Sequence, residues 1–296
     1  MSNLLSFASD HPIAVTCGVA AATAATYFMF KNGSIYRPTA PRRKHYDIPH
    51  GKVLLFQVDR NCLVPSLAAF ALKLETYLRM ANIPYENDYS FTMSSKGKVP
   101  WIIVNDKEVA DSSFCIEHLS KEFSVDLDRE LSSEKKALAQ LLTKTMEENT
   151  FWATIEQTRI FDAKEEWLDM IDVRPNWRSF FKNQGPQIVS EYMYGHGIGR
   201  HSTEEIHHIG KQDLRAFSVI LGSKDYFLAD TPTTVDACMF GCLANILYAT
   251  PKSGYCYQLL TTELTNLVDY VERMKEKFWP DWEEITAAAP RGSRGD

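Results

Sequence analysis

Residues 98–112 read Lys-Val-Pro-Trp-Ile-Ile-Val-Asn-Asp-Lys-Glu-Val-Ala-Asp-Ser, and this run constrains the fold more than any other. A proline lacks the amide a sheet ladder needs, so Pro100 opens an apolar strand, Trp101–Val104, instead of interrupting one. Asn105-Asp106 is a two-residue hairpin turn, and residues 108–110 return alongside. Asp111 or Ser112 then caps a helix running to about Phe123, because short oxygen-bearing side chains accept the free amides of a first helical turn. The same amides and the positive end of the helix dipole favour the charged end of a ligand.

The flanking chain supplies the rest of a small α/β unit. Residues 52–58 are a short apolar run, a buried strand. A loop over 59–65 follows, and Ser66 is placed to cap a helix to about Ala81, along which Leu67, Phe70, Leu74, Tyr77 and Leu78 recur at helical spacing. Residues 83–93 are extended and 94–98 turn. From Leu131 onward every periodic run is helical: 133–162, 176–194 with a break near Gly185-Pro186, 203–221, 233–249 and 262–278. Thr233 and Asp236 have capping-box spacing, which assigns Asp236 a structural role.

The amino-terminal segment is a separate object. Residues 12–30 carry no charge, and as a helix they rise about 28 Å, close to a bilayer's hydrocarbon core. Lys31, Arg37, Arg42, Arg43 and Lys44 follow, whereas only Asp10 and His11 precede the run closely. A cleaved leader wants a basic residue before the apolar stretch. The order found here reads as a signal anchor, with a short tail outside and the body in the cytosol. The expected division is a tail and transmembrane signal anchor over 1–31, a basic Pro-containing linker over 32–51, an α/β domain over 52–124, an all-α domain over 125–284 and a disordered tail over 285–296.

With a formal net charge of −6 the chain gives no electrostatic reason to expect nucleic acid. Its six cysteines are scattered in mostly apolar contexts, which points to a reducing compartment and not a disulfide framework. Cys238 and Cys242 are one helical turn apart beside Met239 and Phe240, and read as core packing more readily than as a metal or redox pair.

Strand-helix-strand, strand-strand-helix, then helices only, resembles the layout of glutathione transferases: a thioredoxin-like α/β domain before an all-α domain. Lys73-Leu-Glu-Thr-Tyr-Leu-Arg79 and Ile83-Pro-Tyr-Glu86 resemble the metaxin-like branch of that superfamily. Gly197-Ile-Gly-Arg-His-Ser202, with Glu204-Glu205-Ile206, Asp213-Leu214, Leu221-Gly222, Arg273-Met-Lys275 and Trp279-Pro-Asp-Trp282, resembles the failed axon connections family, which includes nematode cadmium-responsive proteins. The resemblance covers about residues 50–283.

The resemblance implies a cis Pro100 and a glutathione site in which Val99 and Pro100 present backbone, while Asp111 and Ser112 take the γ-glutamyl amino and carboxylate groups. Many relatives place a Ser or Cys before Pro-Phe at the first helix to stabilise the glutathione thiolate; the matching residues here are Ala68-Ala69-Phe70, so that activating group is gone. Cys62 and Ser66 are the nearby substitutes: a loop thiol near a helix start can have a lowered pKa. The expectation is a membrane-anchored ligand-binding or scaffold protein with weak or absent catalysis, connected with stress or metal response or with neuronal development. The alternatives are an active transferase or thiol-reductase using Cys62, and a metaxin-like component of a mitochondrial outer-membrane assembly. The organelle stays open between that membrane and the endoplasmic reticulum or lysosome. Glutathione is the expected ligand, and a homodimer or a protein partner is compatible with the layout. His196, His201, His207 and His208 gather near a Gly-rich bend, but their spacing fits a known ligand set only loosely, such histidines more often make turns, caps and surface contacts, and no metal is expected.

Overall fold

The computed structural model describes residues 46, 48–90, 92–173 and 175–289. The expected anchor, all of the linker before residue 46 and the tail from residue 290 lie outside the described residues. Among the described residues no helix is long and apolar enough to cross a membrane.

The α/β half follows the expected order: β1 (Val53–Phe56), α1 (Ala69–Met80), β2 (Tyr85–Asp88), β3 (Trp101–Val104), β4 (Lys107–Ala110) and α2 (Ser112–Glu122). The sheet order is β2-β1-β3-β4, with β1 parallel to β2 and antiparallel to β3, and β3 antiparallel to β4. Successive strand residues face opposite sides. On one face Val53, Leu55, Ile102 and Val104 pack with Leu74, Tyr77 and Leu78 of α1 and with Cys115, Ile116 and Leu119 of α2. On the other, the rings of Phe56 and Trp101 stack at 3.7 Å.

The helical half begins at α3 (Ser133–Thr145), capped by Ser132 Oγ accepting from Lys135 N at 3.2 Å. The same rod continues through wider π-helical turns over Met146–Thr150 and Trp152–Asp162. Then come α4 (Lys164–Met170), α5 (Pro175–Asn183), α6 (Gly185–His196), α7 (Thr203–Leu221), α8 (Thr234–Ala249), α9 (Tyr255–Thr262), α10 (Thr265–Phe278) and α11 (Trp282–Ala287). Helix α8 is buried along nearly its whole length, as its apolar composition requires of a helix with no polar face. It crosses α1 closely at Gly241, where a Cβ would lie 2.7 Å from Ala69 O and 2.8 Å from Lys73 N. Asp236 accepts from Thr233 N (2.8 Å), Phe227 N (3.1 Å) and Tyr270 Oη (3.2 Å), the folding role expected of it. Cys238 and Cys242 are buried on the same helix. The Trp279–Trp282 motif folds back on α1: Trp279 Nε1 donates to Thr76 Oγ1, and Arg79 sits over the Trp279 ring while pairing with Asp281 at 2.6 Å.

Three expectations are corrected. Helix α1 starts at Ala69 behind Ala68, not at Ser66, and no side chain caps it. Ser66 is fully buried, and its Oγ has no hydrogen-bond partner among the described residues. The run expected over 262–278 is α10, which starts three residues later at Thr265 because Leu264 leaves helical geometry at φ −112°, ψ 46°, and a separate helix, α9, precedes it.

Candidate functional site

Strand register assembles the site. Trp101 pairs with Ala110 across β3–β4 and with Phe56 across β1–β3. One step beyond each pair, Pro100 therefore lies beside Asp111, and the loop leaving β1 toward α1 starts at the same end of the sheet. The Val99–Pro100 peptide is cis. The turn before it is tied down by Ser94, whose Oγ donates to Lys98 O at 2.8 Å.

Asp111 caps α2. Its Oδ1 accepts from Ser113 N (3.0 Å) and Phe114 N (3.3 Å), while the residue itself adopts φ 86° and is exposed. Both bonds end on one carboxylate oxygen. Ser112, expected to take the ligand carboxylate, is instead turned into the protein at 6% exposure. Lys73 Nζ reaches it at 3.3 Å, and also reaches Ser113 Oγ at 2.8 Å and Glu147 Oε1 at 2.5 Å. A buried ammonium needs a counter-charge, and Glu147 at the head of the π-helical segment supplies it. A cavity of ≈ 240 Å³ opens next to this cluster, sharing Lys73 and Ser113 with it, but is lined by none of Val99, Pro100, Asp111 and Ser112.

The loop between β1 and α1 is held from both halves of the molecule. Arg60 pairs with Glu75 at 2.5 Å and donates to Pro65 O at 3.2 Å. Burial alone would raise the Glu75 carboxyl, but the hydrogen bond and charge of Arg60 outweigh it and hold the group below its ordinary range. From the helical half, Arg159 donates to Leu67 O (3.1 Å), Asn245 O (3.0 Å) and Ala249 O (3.1 Å). Cys62 is exposed on this loop, with Sγ 3.8 Å from Asn61 Oδ1. The two substitutes named from the sequence thus differ sharply: Cys62 faces solvent, and Ser66 is sealed inside.

The sequence reading passed over one further residue. Glu156 stands in the π-helical segment, partly exposed, and burial pushes its carboxyl up against the opposing pull of Arg159 and Lys98. Lys98 belongs to the turn before the cis peptide, and its Nζ lies 4.3 Å from the Tyr192 ring on α6. The available signal was that Glu156 is the one acid between Phe151 and Phe161.

The histidines go separate ways. His207 pairs with Asp162 at 2.7 Å, His196 with Glu148 at 3.7 Å and His201 with Glu205 at 3.6 Å, while His208 contacts Gln212. Among the described residues no group of three metal-binding side chains forms. Arg200 lies over the Tyr194 ring at 5.1 Å.

Comparison with known proteins fits this geometry. The model of the glutathione S-transferase N-terminal domain matches residues 69–163, and that of the glutathione S-transferase C-terminal domain matches residues 210–274. Failed axon connections of Drosophila melanogaster is 32% identical over 254 residues, 79% of this chain and 59% of that protein. The Arabidopsis thaliana protein named mitochondrial outer membrane import complex protein METAXIN is 24% identical over 73% of this chain and 69% of its own length. The chain belongs to the metaxin-like branch of the glutathione S-transferase superfamily. Within that superfamily, isoprene-epoxide–glutathione S-transferase of Rhodococcus sp. (strain AD45) is 28% identical over 73% of this chain and 94% of its own length. The crystal structure of β-etherase LigF from Sphingobium sp. strain SYK-6 superposes with a TM-score of 0.54 at 17% identity, covering 79% of this chain and 98% of that one, and shares the transferase fold.

Proposed function

We propose that this protein is a membrane-anchored, transferase-like protein that holds glutathione at the edge formed by Val99, Pro100 and Asp111 and turns it over weakly. One observation carries the reading: the register sets the cis Val99–Pro100 peptide beside Asp111, while the first turn of α1 offers Ala68 and Ala69 where a thiolate-stabilising hydroxyl or thiol would stand. The backbone of Val99 pairs with the peptide-like part of the ligand. Asp111 Oδ2 takes the γ-glutamyl ammonium. The ligand carboxylate falls to Ser113, since Ser112 is buried and Ser113 is partly exposed. The thiol is left to the uncapped α1 amino terminus, whose free amides favour negative charge. The Rhodococcus relative, named for a glutathione reaction and similar over nearly its full length, supports glutathione as the ligand.

We read residues 12–30 as the anchor, and the basic residues that follow them favour the cytosolic side for the folded part. The likeness to the plant protein named for the mitochondrial outer-membrane import complex favours that membrane and an assembly partner as a second reading.

Calorimetric titration of glutathione into the full-length chain in a mild non-ionic detergent, with a standard conjugation assay on the same sample, tests the proposal. Binding with turnover far below that of an active transferase is expected. No heat at millimolar glutathione sinks it and favours the assembly reading.

A further inference from the structure

The cavity of ≈ 240 Å³ beside the Lys73–Glu147 pair lies between α1, α2, α3 and the first turn of α8, and none of Val99, Pro100 and Asp111 lines it. One water needs about 15 Å³ of such space, so a small organic molecule fits. Tyr77 lines the cavity from α1. Its side chain is 1% exposed, and its Oη has no hydrogen-bond partner among the described residues. A buried hydroxyl left unpaired lowers stability, so this position calls for a polar atom from outside the chain. Burial pushes the hydroxyl up to about 12, with Asp128 and Asp126 adding to the rise and Ser120 opposing it. These three neighbours all line the cavity as well, so the hydroxyl stands at their end of it. Ser120 itself is turned to Val125 O, to which its Oγ donates at 2.7 Å.

The charges around the cavity select the sign of an occupant. Glu117, Asp126 and Asp128 line it, against Lys136 and Lys73. Lys73 offers a ligand nothing: its three ammonium hydrogens meet Ser112 Oγ, Ser113 Oγ and Glu147 Oε1, and Glu147 neutralises it. Three carboxylates then stand against one ammonium. Asp126 Oδ1 accepts from Asp128 N (2.9 Å) and Asp128 Oδ1 from Thr234 N (2.8 Å), which fixes both acids in place. A carboxylate has about four acceptor sites, so one such bond does not exhaust it. Among the described residues these acids form no metal-holding group. Ile116, Leu127, Ala139 and Val235 give the cavity an apolar wall. We propose that it binds a small primary alkylammonium ion, whose head donates to Tyr77 Oη and lies against Asp126 and Asp128 while its hydrocarbon chain lies along Ile116 and Val235. The site shares only Ser113 with the proposed glutathione edge and does not depend on that reading. Its walls come from both halves of the molecule, so an occupant bridges them.

n-Pentylamine is the probe, at neutral pH where it is charged as a lysine is, with 1-pentanol and pentanoate as controls of the same length. Melting temperature and calorimetry are read on the full-length chain in a mild non-ionic detergent. The amine raises the melting temperature saturably, as a ligand of the folded form does, and both controls leave it unchanged. Tyr77→Phe weakens amine binding about 10-fold, the loss expected for a hydrogen bond to a charged group. Without amine the same variant melts no lower than wild type, because no bond is broken in making it. Asp126→Asn combined with Asp128→Asn keeps an oxygen for each backbone amide but removes the charge, and it weakens binding at least as much. A cavity that holds water only shows no saturable effect of the amine and overturns the inference. Equal binding of 1-pentanol, or tighter binding of pentanoate, overturns it by removing the role of the positive charge. A Tyr77→Phe protein that binds the amine within about twofold of wild type overturns it by removing the role of the hydroxyl.

Discussion

Lys73 Nζ lies 2.5 Å from Glu147 Oε1, with both side chains nearly sealed from water, and this pair joins the first helix of the α/β half to the π-helical rod of the other. Removing one partner leaves a charge buried without its counter-ion. Lys73→Met should cost about 3 kcal/mol, softened by Lys144, which also reaches Glu147 at 3.2 Å. The double variant Lys73→Met, Glu147→Leu should recover most of that loss. Urea unfolding of the four proteins of this cycle measures it, and two independent, additive losses would contradict the pairing.

Glu75 makes the protein acid-sensitive. Its carboxyl is held below the ordinary value of 4.5 in the folded state, burial notwithstanding, by Arg60. A depressed folded value means that the stabilisation is complete above pH about 4.5 and is lost as pH falls through the folded value. Melting temperature should therefore drop steeply below that point, and Glu75→Gln should be less stable than wild type at pH 7 with a shallower acid limb.

Glu156 has the opposite sign. Burial raises its folded value above 4.5, so the unfolded chain releases the proton first and stability declines as pH rises past 4.5 toward the folded value. Glu156→Gln should raise the melting temperature at pH 7.5 and leave it unchanged at pH 4. Equal shifts at both pH values would mean that packing, not ionisation, is responsible.

Asp111 combines a cap with a left-handed backbone, φ 86°. Replacement by Ala loses the cap, worth about 1 kcal/mol, and keeps a Cβ where φ is positive. Asp111→Gly should be the milder change by about 1 kcal/mol, as read from chemical denaturation, although both variants lose the carboxylate proposed to hold the ligand.

Gly241→Ala should destabilise by about 2 kcal/mol. The added methyl meets backbone atoms, Ala69 O and Lys73 N, and not a side chain that could rotate away. A melting temperature within one degree of wild type would show that α1 and α8 can separate freely there.

How much of this was legible follows from how local each signal is. The α/β order and the meeting of Pro100 with Asp111 could be read because the Asn105-Asp106 turn sets the β3–β4 register within a dozen residues. Ser112's inward turn could not, because it depends on Lys73 finding Glu147, 74 positions later. Ser66 looked like a cap because its residue type and place suited one, but Asn245 Nδ2 donates to its carbonyl at 3.2 Å, and the helix starts later. The π-helical turns leave the apolar spacing close to that of an ordinary helix, so they could not be read from the residues around them.

Arg159 carries a consequence for how such proteins can be recombined. A single guanidinium grips Leu67 O of the loop and the carbonyls of Asn245 and Ala249 on α8. The loop that would flank a ligand's thiol is thus shaped by side chains encoded some 90 and 180 residues downstream. A chimera that exchanged the helical half between relatives at the domain junction would inherit a loop cut to fit a different clamp. Such a graft would have to carry residues 57–68 along with the helices that hold them.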